Sequence, residues 1–339
     1  MKMWRGISVG VVILGLAGVA AQALDSMPEQ VPVPADNPMS ETKVSLGKQL
    51  FFDGRLSRNG KVSCNSCHDV SKGGVDNLSF SVGHDGKKGG RNAPTVWNAA
   101  FQSVQFWDGR AASLEDQAKG PMVNPVEMGM ANHDAVVSRL TKVPGYITLF
   151  KAVFPGDGPS LTIDNAAKAI AAYERTLITR NSPYERFAMG ETAALSAGAQ
   201  RGFKLVQEVG CMTCHMGPNF SGPTMPVGTG FYQKFPTNPN TAYDKKYGFS
   251  KDLGRFEFTK KDEDKHMFRV PTWRNVARTA PYFHNGAVKT LDEAVKVMAK
   301  TQLNRDLKPA ETKDIVEFLT ALNGELPKQD PPELPKDGM

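Results

Sequence analysis

Apolar residues recur with helical spacing near the end of each half of the chain. In residues 164–178, Ile170, Tyr173 and Leu177 fall at positions i, i+3 and i+7. The same spacing recurs in residues 311–324, at Ile315, Phe318, Leu319 and Leu322. Such spacing places apolar side chains on one helix face, and Gly324 follows as a candidate C-cap. The pattern therefore predicts two amphipathic helices.

Two further amphipathic helices are predicted upstream, in residues 46–57 and 199–210. Each contains a glycine followed closely by a basic residue and a leucine. The remaining segments are rich in Gly, Pro and Asn, and strand patterns are few and short. The proline-rich ends, 26–38 and 326–339, are typical of extended arms. The predicted fold class is mostly α, with long irregular loops.

The N-terminus has the composition of a secretory signal peptide. Lys2 and Arg5 precede an apolar run from Ile7 to about Ala21, and residues 21–23 (Ala-Gln-Ala) form a small-residue cleavage site. An uncleaved anchor is the alternative. No later stretch reaches the roughly 20 apolar residues that a membrane helix needs. We therefore predict a signal peptide over residues 1–23 and a mature periplasmic protein with no membrane span.

Charge and length narrow the possible functions further. The net charge of +6 falls to +4 without the two basic residues of the signal peptide, and no basic run is interleaved with aromatics. This composition does not favour nucleic-acid binding. The remaining chain, about 316 residues, is long enough for two domains.

All four cysteines lie in two copies of the motif Cys-x-x-Cys-His, residues 64–68 and 211–215. Disulfides, a thioredoxin-like dithiol or a zinc site are other uses of paired cysteines. A histidine directly after the second cysteine is the attachment signature of c-type haem: two thiols bind the porphyrin and the imidazole binds iron. The motifs predict two covalent haems, one on Cys64, Cys67 and His68 and one on Cys211, Cys214 and His215.

The spacing of the motifs suggests a duplication. His68 and His215 are 147 residues apart, and a predicted helix precedes each motif and another closes each half. A helix, a haem-attachment turn, loops and a closing helix are typical of a cytochrome c domain. We predict two such domains, residues 24–185 and 186–339, each with one haem.

The ligand opposite each proximal histidine decides what a haem protein does. His84 lies 16 residues after His68, in a segment with six glycines between positions 73 and 90. Such a loop can change shape easily. By itself, His84 is either a solvated loop residue or an iron ligand that withdraws in another state.

Methionines are the candidates for the second haem. Met298 continues the apolar face of a predicted helix in residues 290–300, so it is either a core residue or a thioether ligand that would raise the haem potential. Met212, Met216, Met225 and Met267 are weaker candidates.

Three other residues of the first half stand out. Trp107 is either a core aromatic or a functional one, and Gln117 is either a surface residue or a site residue. Glu127 lies between small and apolar residues after a proline, where partial burial would raise the proton affinity of its carboxyl.

Several ordered sequence blocks together resemble the bacterial dihaem cytochrome c peroxidases. The blocks run from about residue 40 to 325 and read LFFDGRLS, CNSCHD, GHDGKKGGRNAPTVWNAAF, QFWDGRAASLEDQAKGP, NPVEMGM, CMTCHMGPNFSG and FRVPTWRNVARTAPYFHNGAVKTLDEAV. MauG-type enzymes belong to the same superfamily.

The resemblance implies roles for residues of the N-terminal half. The N-terminal haem would be the low-potential, peroxide-reducing site, with His84 as its distal ligand in the oxidised state. Glu127 matches the family's acid–base glutamate, Gln117 its active-site glutamine, and Trp107 the tryptophan between the two haems.

For the C-terminal half, the resemblance implies a high-potential haem where electrons enter, with Met298 as the matching iron ligand. It also implies a Ca²⁺ ion between the domains. The ion would be bound by the Asn92 amide and by the backbone at Thr279 and Pro281.

The activity so implied is two-electron reduction of hydrogen peroxide to water. A small c-type cytochrome or cupredoxin would donate the electrons, and the protein would be a homodimer. One alternative is a dihaem electron-transfer cytochrome. Another is a MauG-like oxidase that modifies a protein, in which a tyrosine such as Tyr282 or Tyr232 would replace the methionine. The sequence assigns no role to His133, His266 and His284; we expect the first two at the surface and His284 near a haem propionate or the domain interface.

Overall fold

The structure, a computed structural model, describes residues 26–336. The predicted signal peptide lies outside these residues. The described chain is mostly helical, as predicted. Its helices are α1 (Glu41–Phe52), α2 (Cys64–Cys67), α3 (Leu114–Val123), α4 (His133–Leu140), α5 (Pro144–Val153), α6 (Ile163–Glu174), α7 (Pro183–Ala188), α8 (Ala197–Glu208), α9 (Ala242–Tyr247), α10 (Phe256–Thr259), α11 (Leu291–Leu303) and α12 (Pro309–Ala321).

The sheet structure is small. Strands β1 (Tyr232–Lys234) and β2 (Met267–Arg269) pair antiparallel, with Tyr232 opposite Arg269 and Lys234 opposite Met267. Long loops and single turns connect the helices. Within residues 26–336, no helix is long and apolar enough to cross a membrane.

The helix preceding each Cys-x-x-Cys-His motif packs closely on the closing helix of the same half. Helix α1 packs on α6, and a Cβ added at Gly47 would collide with the backbone of Ala169. Helix α8 packs on α12 in the same way, with Gly202 against the backbone of Asp314. These two glycines belong to the repeated pattern seen in the sequence. Their role is to let two helix backbones approach where any side chain would separate them.

The apolar side chains of each helix pair belong to separate clusters. Leu46, Leu50, Phe51, Ile170 and Tyr173 are buried between α1, α5 and α6. A second cluster lies around α7, α8 and α12, and a third between α11 and the 235–288 loops; their buried aromatic residues are Tyr184, Phe220, Phe318, Phe235, Phe249, Phe268 and Tyr282.

The structure corrects two details of the predicted closing helices. Helix α6 ends at Glu174, so Leu177 lies beyond it, where its carbonyl accepts a hydrogen bond from the Asn98 backbone at 2.9 Å. Helix α12 ends at Ala321, and Gly324 is not its C-cap. The Gly324 N–H instead donates to Asn275 Oδ1 at 3.0 Å. Long-range partners therefore determine both ends.

Candidate active site

Each Cys-x-x-Cys-His motif lines a cavity. The first cavity has a volume of about 840 Å³ and is lined by Cys64, Cys67 and His68. This volume is in the range of about 300–1,000 Å³ common for cofactor sites. The second cavity is lined by Cys211, Cys214 and His215, with largely apolar side chains around them. None of the four cysteines forms a disulfide.

The motif histidines are oriented as iron ligands. His68 Nδ1–H donates to the Pro94 carbonyl at 3.0 Å, and His215 Nδ1–H donates to the Phe220 carbonyl at 3.1 Å. Metal-binding histidines commonly donate their second ring nitrogen in this manner, which leaves Nε2 with its lone pair. Burial lowers the pKa of both imidazoles, to about 4 for His215, so the rings are neutral as metal binding requires. The residues present therefore fit a haem in each cavity.

Glu127 and Gln117 both line the first cavity. Gln117 is on α3, and Glu127 is in the turn that follows this helix. Asn124 Nδ2 donates to Glu127 Oε1 at 2.9 Å, which fixes the carboxyl. Burial raises the pKa of Glu127 from its ordinary 4.5, and nearby Arg110 opposes the rise. The higher proton affinity expected from the sequence is therefore present.

His84 lies beside the first cavity but is not among the residues lining it. Its ring is 1% exposed. Nε2–H donates to the Pro125 carbonyl at 2.9 Å, and Nδ1 is 2.9 Å from Asp85 Oδ2. Because Nε2 is occupied in this way, His84 would have to leave Pro125 to bind iron.

The glycine-rich loop contacts the turn that carries Glu127. The His84 N–H donates to the Glu127 carbonyl at 2.7 Å. A Cβ added at Gly83 would collide with the carbonyls of Val126 and Glu127, and one added at Gly129 would collide with the His84 ring. The histidine and the glutamate are thus in direct mechanical contact through their backbones.

Trp107 lines both cavities. Its Nε1–H donates to the Asn92 carbonyl at 2.8 Å. His284 also lines both cavities, with its ring edge-on to Trp107 at 6.3 Å between centroids. His284 is 2% exposed, and its Nε2 has no hydrogen-bond partner within residues 26–336. Burial lowers the pKa of His284 to about 4, so the imidazole is neutral.

Of the methionines considered, Met298 on α11 lines the second cavity, whereas Met212, Met216, Met225 and Met267 do not. Tyr282 lines the same cavity, but Tyr232 does not. The Tyr232 hydroxyl instead donates to the Gly109 carbonyl and accepts a hydrogen bond from Arg255.

The three residues expected to bind calcium share one region. Asn92, Thr279 and Pro281 all line the second cavity. Asn92 Nδ2 donates to the Leu78 carbonyl at 2.8 Å, so the amide is fixed and Oδ1 is directed elsewhere. Carbonyl and amide oxygens are ligands that Ca²⁺ accepts. Within the described residues, no cluster of three or more His, Cys, Asp or Glu could bind a metal.

Comparison with known proteins agrees with this geometry. The sequence model of the di-haem cytochrome c peroxidase family matches residues 41–193. Over 345 aligned residues, the chain is 42% identical to a cytochrome c551 peroxidase of Pseudomonas aeruginosa, with 99% of this chain and 97% of that protein covered. The chain belongs to the di-haem cytochrome c peroxidase family.

Further relatives extend the comparison. A cytochrome c551 peroxidase of Nitrosomonas europaea is 40% identical over 98% of this chain and 95% of that protein. The crystal structure of a MauG-like protein associated with microbial copper homeostasis superposes with a TM-score of 0.77 at 30% identity, covering 88% of this chain and 95% of that one. The chain is an oxidoreductase of the cytochrome c peroxidase class, and its family implies two c-type haems.

The cavity walls contain charged residues that were not predicted from the sequence, among them Glu174 and Arg269. Glu174, on α6, lines the first cavity and is 4% exposed, and its Oε2 lacks a hydrogen-bond partner among the described residues. Burial raises its pKa to about 8. Arg269, at the end of β2, lines the second cavity. Local sequence gives little signal for either, because distant segments bury both side chains.

The unassigned histidines differ in environment. His133 Nε2 is 3.1 Å from the Lys119 carbonyl, and His266 Nδ1 is 2.9 Å from the Asp252 carbonyl. Both rings are half-buried rather than fully exposed surface residues. Only His284 of the three lines a cavity.

Proposed function

We propose that the chain reduces hydrogen peroxide to water in the first cavity, with electrons that a small c-type cytochrome or cupredoxin delivers through the second cavity. Two haems, attached covalently through Cys64 and Cys67 and through Cys211 and Cys214, would supply the one-electron redox chemistry. The observation that carries this proposal is that Glu127 and Gln117 converge on the cavity that contains His68.

Glu127 is the proton carrier in this proposal. Reduction of hydrogen peroxide to two waters consumes two electrons and two protons. The Glu127 carboxylate takes a proton from one peroxide oxygen and gives it to the other. The second oxygen then leaves as water. Because Asn124 holds Oε1, the proton is exchanged at Oε2. Gln117 orients the peroxide through its side-chain amide.

His84 has two positions in this proposal. In the resting oxidised protein, His84 would bind iron in the first cavity and so prevent peroxide from reaching it. After one-electron reduction at the second haem, His84 would adopt the position bonded to Pro125, next to the Glu127 turn. A shift of this kind requires only that reduction stabilise one of two loop arrangements.

The second cavity serves electron entry. His215 and Met298 would both bind the iron of a haem in this cavity, and a methionine ligand suits a high-potential haem. Electrons would pass Trp107, which lines both cavities. A Ca²⁺ ion bound by Asn92, Thr279 and Pro281 would secure the segments that meet there.

The domain bounds 24–185 and 186–339, the periplasmic location, the cleaved signal peptide and the homodimer stay predictions from the sequence. The apolar clusters that divide near residue 180 are consistent with the domain bounds.

The test is turnover of peroxide with a reduced cytochrome c donor, starting from fully oxidised and from half-reduced enzyme. We expect turnover after half-reduction in the wild type and a loss of 10²–10⁴-fold in Glu127→Gln. Glu191→Gln changes an exposed carboxylate paired with Arg186 and is the matched control. Equal turnover from both starting states would refute the His84 switch. No turnover from either, with two intact haems, would refute the peroxidase.

A MauG-like oxidase is the second candidate, because Tyr282 lines the second cavity together with Met298 and a MauG-like structure superposes on the chain. The ferric absorption spectrum discriminates between them. A methionine ligand gives a weak sulfur-to-iron band in the far red, which Met298→Ala would abolish. A tyrosine ligand would instead leave that band absent in the wild type.

A further inference from the structure

The second cavity contains one permanently charged side chain. Its lining residues include no Asp, Glu or Lys, and the only arginine among them is Arg269. A single cation therefore faces an otherwise uncharged and largely apolar space.

Arg269 has no acidic ion-pair partner in the part of the chain that the structure describes. It is 5% exposed, and no carboxylate oxygen of residues 26–336 lies within 4.0 Å of its guanidinium. Nε donates to the Phe106 carbonyl at 3.1 Å and Nη1 to the Val270 carbonyl at 3.3 Å, whereas Nη2 has no acceptor among the same residues. The neighbouring Asp108 already pairs with Arg91 and Arg110.

A buried cation without a counter-ion is unfavourable, and burial lowers the pKa of Arg269 to about 10. Carbonyl dipoles satisfy two of the donor nitrogens but leave the charge uncompensated. Proteins rarely keep such an arrangement unless an anion completes it. The anion must reach into an apolar cavity, so it must belong to a molecule whose body is itself apolar.

We propose that Arg269 binds a carboxylate of the cofactor in the second cavity, namely a propionate of the C-terminal haem. The proposal rests on the proposed haem in that cavity. The planar guanidinium has the donor geometry that suits a carboxylate. The backbone N–H of Arg269 donates to the Trp107 carbonyl at 2.8 Å. The proposed propionate contact is therefore next to the segment that contains Trp107.

The pairing has an electrostatic consequence for the haem. A positive charge close to the haem destabilises its oxidised form, which carries one more positive charge than the reduced form. Arg269 therefore raises the reduction potential of the second haem. Its removal leaves an unpaired negative propionate and lowers that potential.

The experiment is spectroelectrochemical titration of the holoenzyme, at a pH well above the ordinary carboxyl pKa of about 4, so that the propionate is ionised. We expect Arg269→Gln to lower the reduction potential of the C-terminal haem by at least about 59 mV. At a given applied potential, this change shifts the oxidised-to-reduced ratio of a one-electron couple tenfold toward oxidised. Arg269→Lys should shift it less, because the charge stays but the planar fork is lost.

Arg255→Gln is the matched control. Arg255 donates to the carbonyls of Asp108 and Gly109, near the same segment, but does not line either cavity. A shift in Arg269→Gln no larger than that in Arg255→Gln would overturn the proposal. Should Arg269→Gln fail to fold, Arg269→Leu, which also removes the charge, replaces it in the comparison, and no shift beyond the control would overturn the proposal.

The haem content distinguishes a failure of the proposed function from a failure of the propionate contact. Fewer than two covalent haems in the wild type, measured as the pyridine complex, would refute the proposed function itself. Two haems with an unchanged potential in the Arg269 variants would refute the propionate contact alone.

Discussion

The position of His84 outside the first cavity depends on the absence of a side chain at Gly129. Gly129 has a φ of 69°, and a Cβ there would lie closer than 3.0 Å to both Cδ2 and Nε2 of His84. Gly86 has a similar φ of 76°, but a Cβ there would meet no atom within 4 Å. The pair Gly129→Ala and Gly86→Ala therefore differs mainly in the collision with the imidazole.

The magnitude follows from these contacts. Both variants lose about 1–2 kcal/mol of stability, because alanine is strained at positive φ. Gly129→Ala also displaces the His84 ring and breaks the hydrogen bond from Nε2 to Pro125, worth about 1 kcal/mol. Overpacking adds about 1–3 kcal/mol. The position of His84 at Pro125 is thus disfavoured by about 2–4 kcal/mol, or about 30- to 700-fold.

Two measurements check this reasoning. Urea unfolding should show the loss of about 1–2 kcal/mol in Gly86→Ala and a larger loss in Gly129→Ala. Spectra of the half-reduced enzyme should show a high-spin first haem in the wild type and in Gly86→Ala, whereas Gly129→Ala stays low-spin with His84 bound. Equal high-spin fractions in the two variants would refute the account of His84.

Three further predictions follow from charged residues. Because burial raises the pKa of Glu127 above 4.5 and the reaction needs its carboxylate, kcat/KM should fall with decreasing pH along an acid limb centred above pH 4.5, and Glu127→Gln should lack this limb; an unchanged limb would exclude Glu127 as its origin. The pKa of Glu174 is raised from 4.5 to about 8, so the stability contributed by its protonated form is complete below pH 4.5 and is lost as pH rises through 8. The urea midpoint of Glu174→Gln should therefore vary less over that interval than the wild-type midpoint, and parallel curves would contradict the assignment. Arg91 pairs with Asp108 at 2.6 Å and with Asp252 at 2.7 Å, so Arg91→Ala, which leaves Asp252 without its ion-pair partner and Asp108 with Arg110 alone, should lower the free energy of unfolding by about 3–5 kcal/mol; Lys119→Ala, which breaks only exposed pairs, should change it by less than about 1 kcal/mol.

Local motifs were sufficient to predict the main helices, and the two motifs predicted to bind haem each line a cavity. The Cys-x-x-Cys-His motif is complete within five residues, and helical periodicity is a property of one segment. The direction of the Glu127 pKa shift could also be predicted, because small and apolar residues flank Glu127 in the sequence. In each case the signal lies within a few residues along the chain.

Features set by distant contacts could not be predicted in this way. The orientation of His84 depends on the carbonyl of Pro125, 41 residues away. Arg269 is buried against Phe106, 163 residues away, and its lack of an acidic partner can be seen only once the fold places Asp108 next to other arginines. The end of α12 likewise depends on Asn275. Sequence spacing carries no information about such pairs.

The hydrogen bonds around Trp107 and those around His84 suit different functional requirements. Trp107 is fixed twice, by its indole N–H to Asn92 and by its carbonyl to Arg269, and Asn92 is fixed in turn by the carbonyl of His284. This chain of hydrogen bonds fixes the wall between the cavities, as the proposed one-electron transfer between them would require. Outside its own loop, His84 is instead held by contacts to a single turn, 124–129, which a shift of one loop would break together. We infer that the fold places its rigid contacts between the haem sites and its separable contacts at the peroxide entrance, so that access can change while the distance for electron transfer does not.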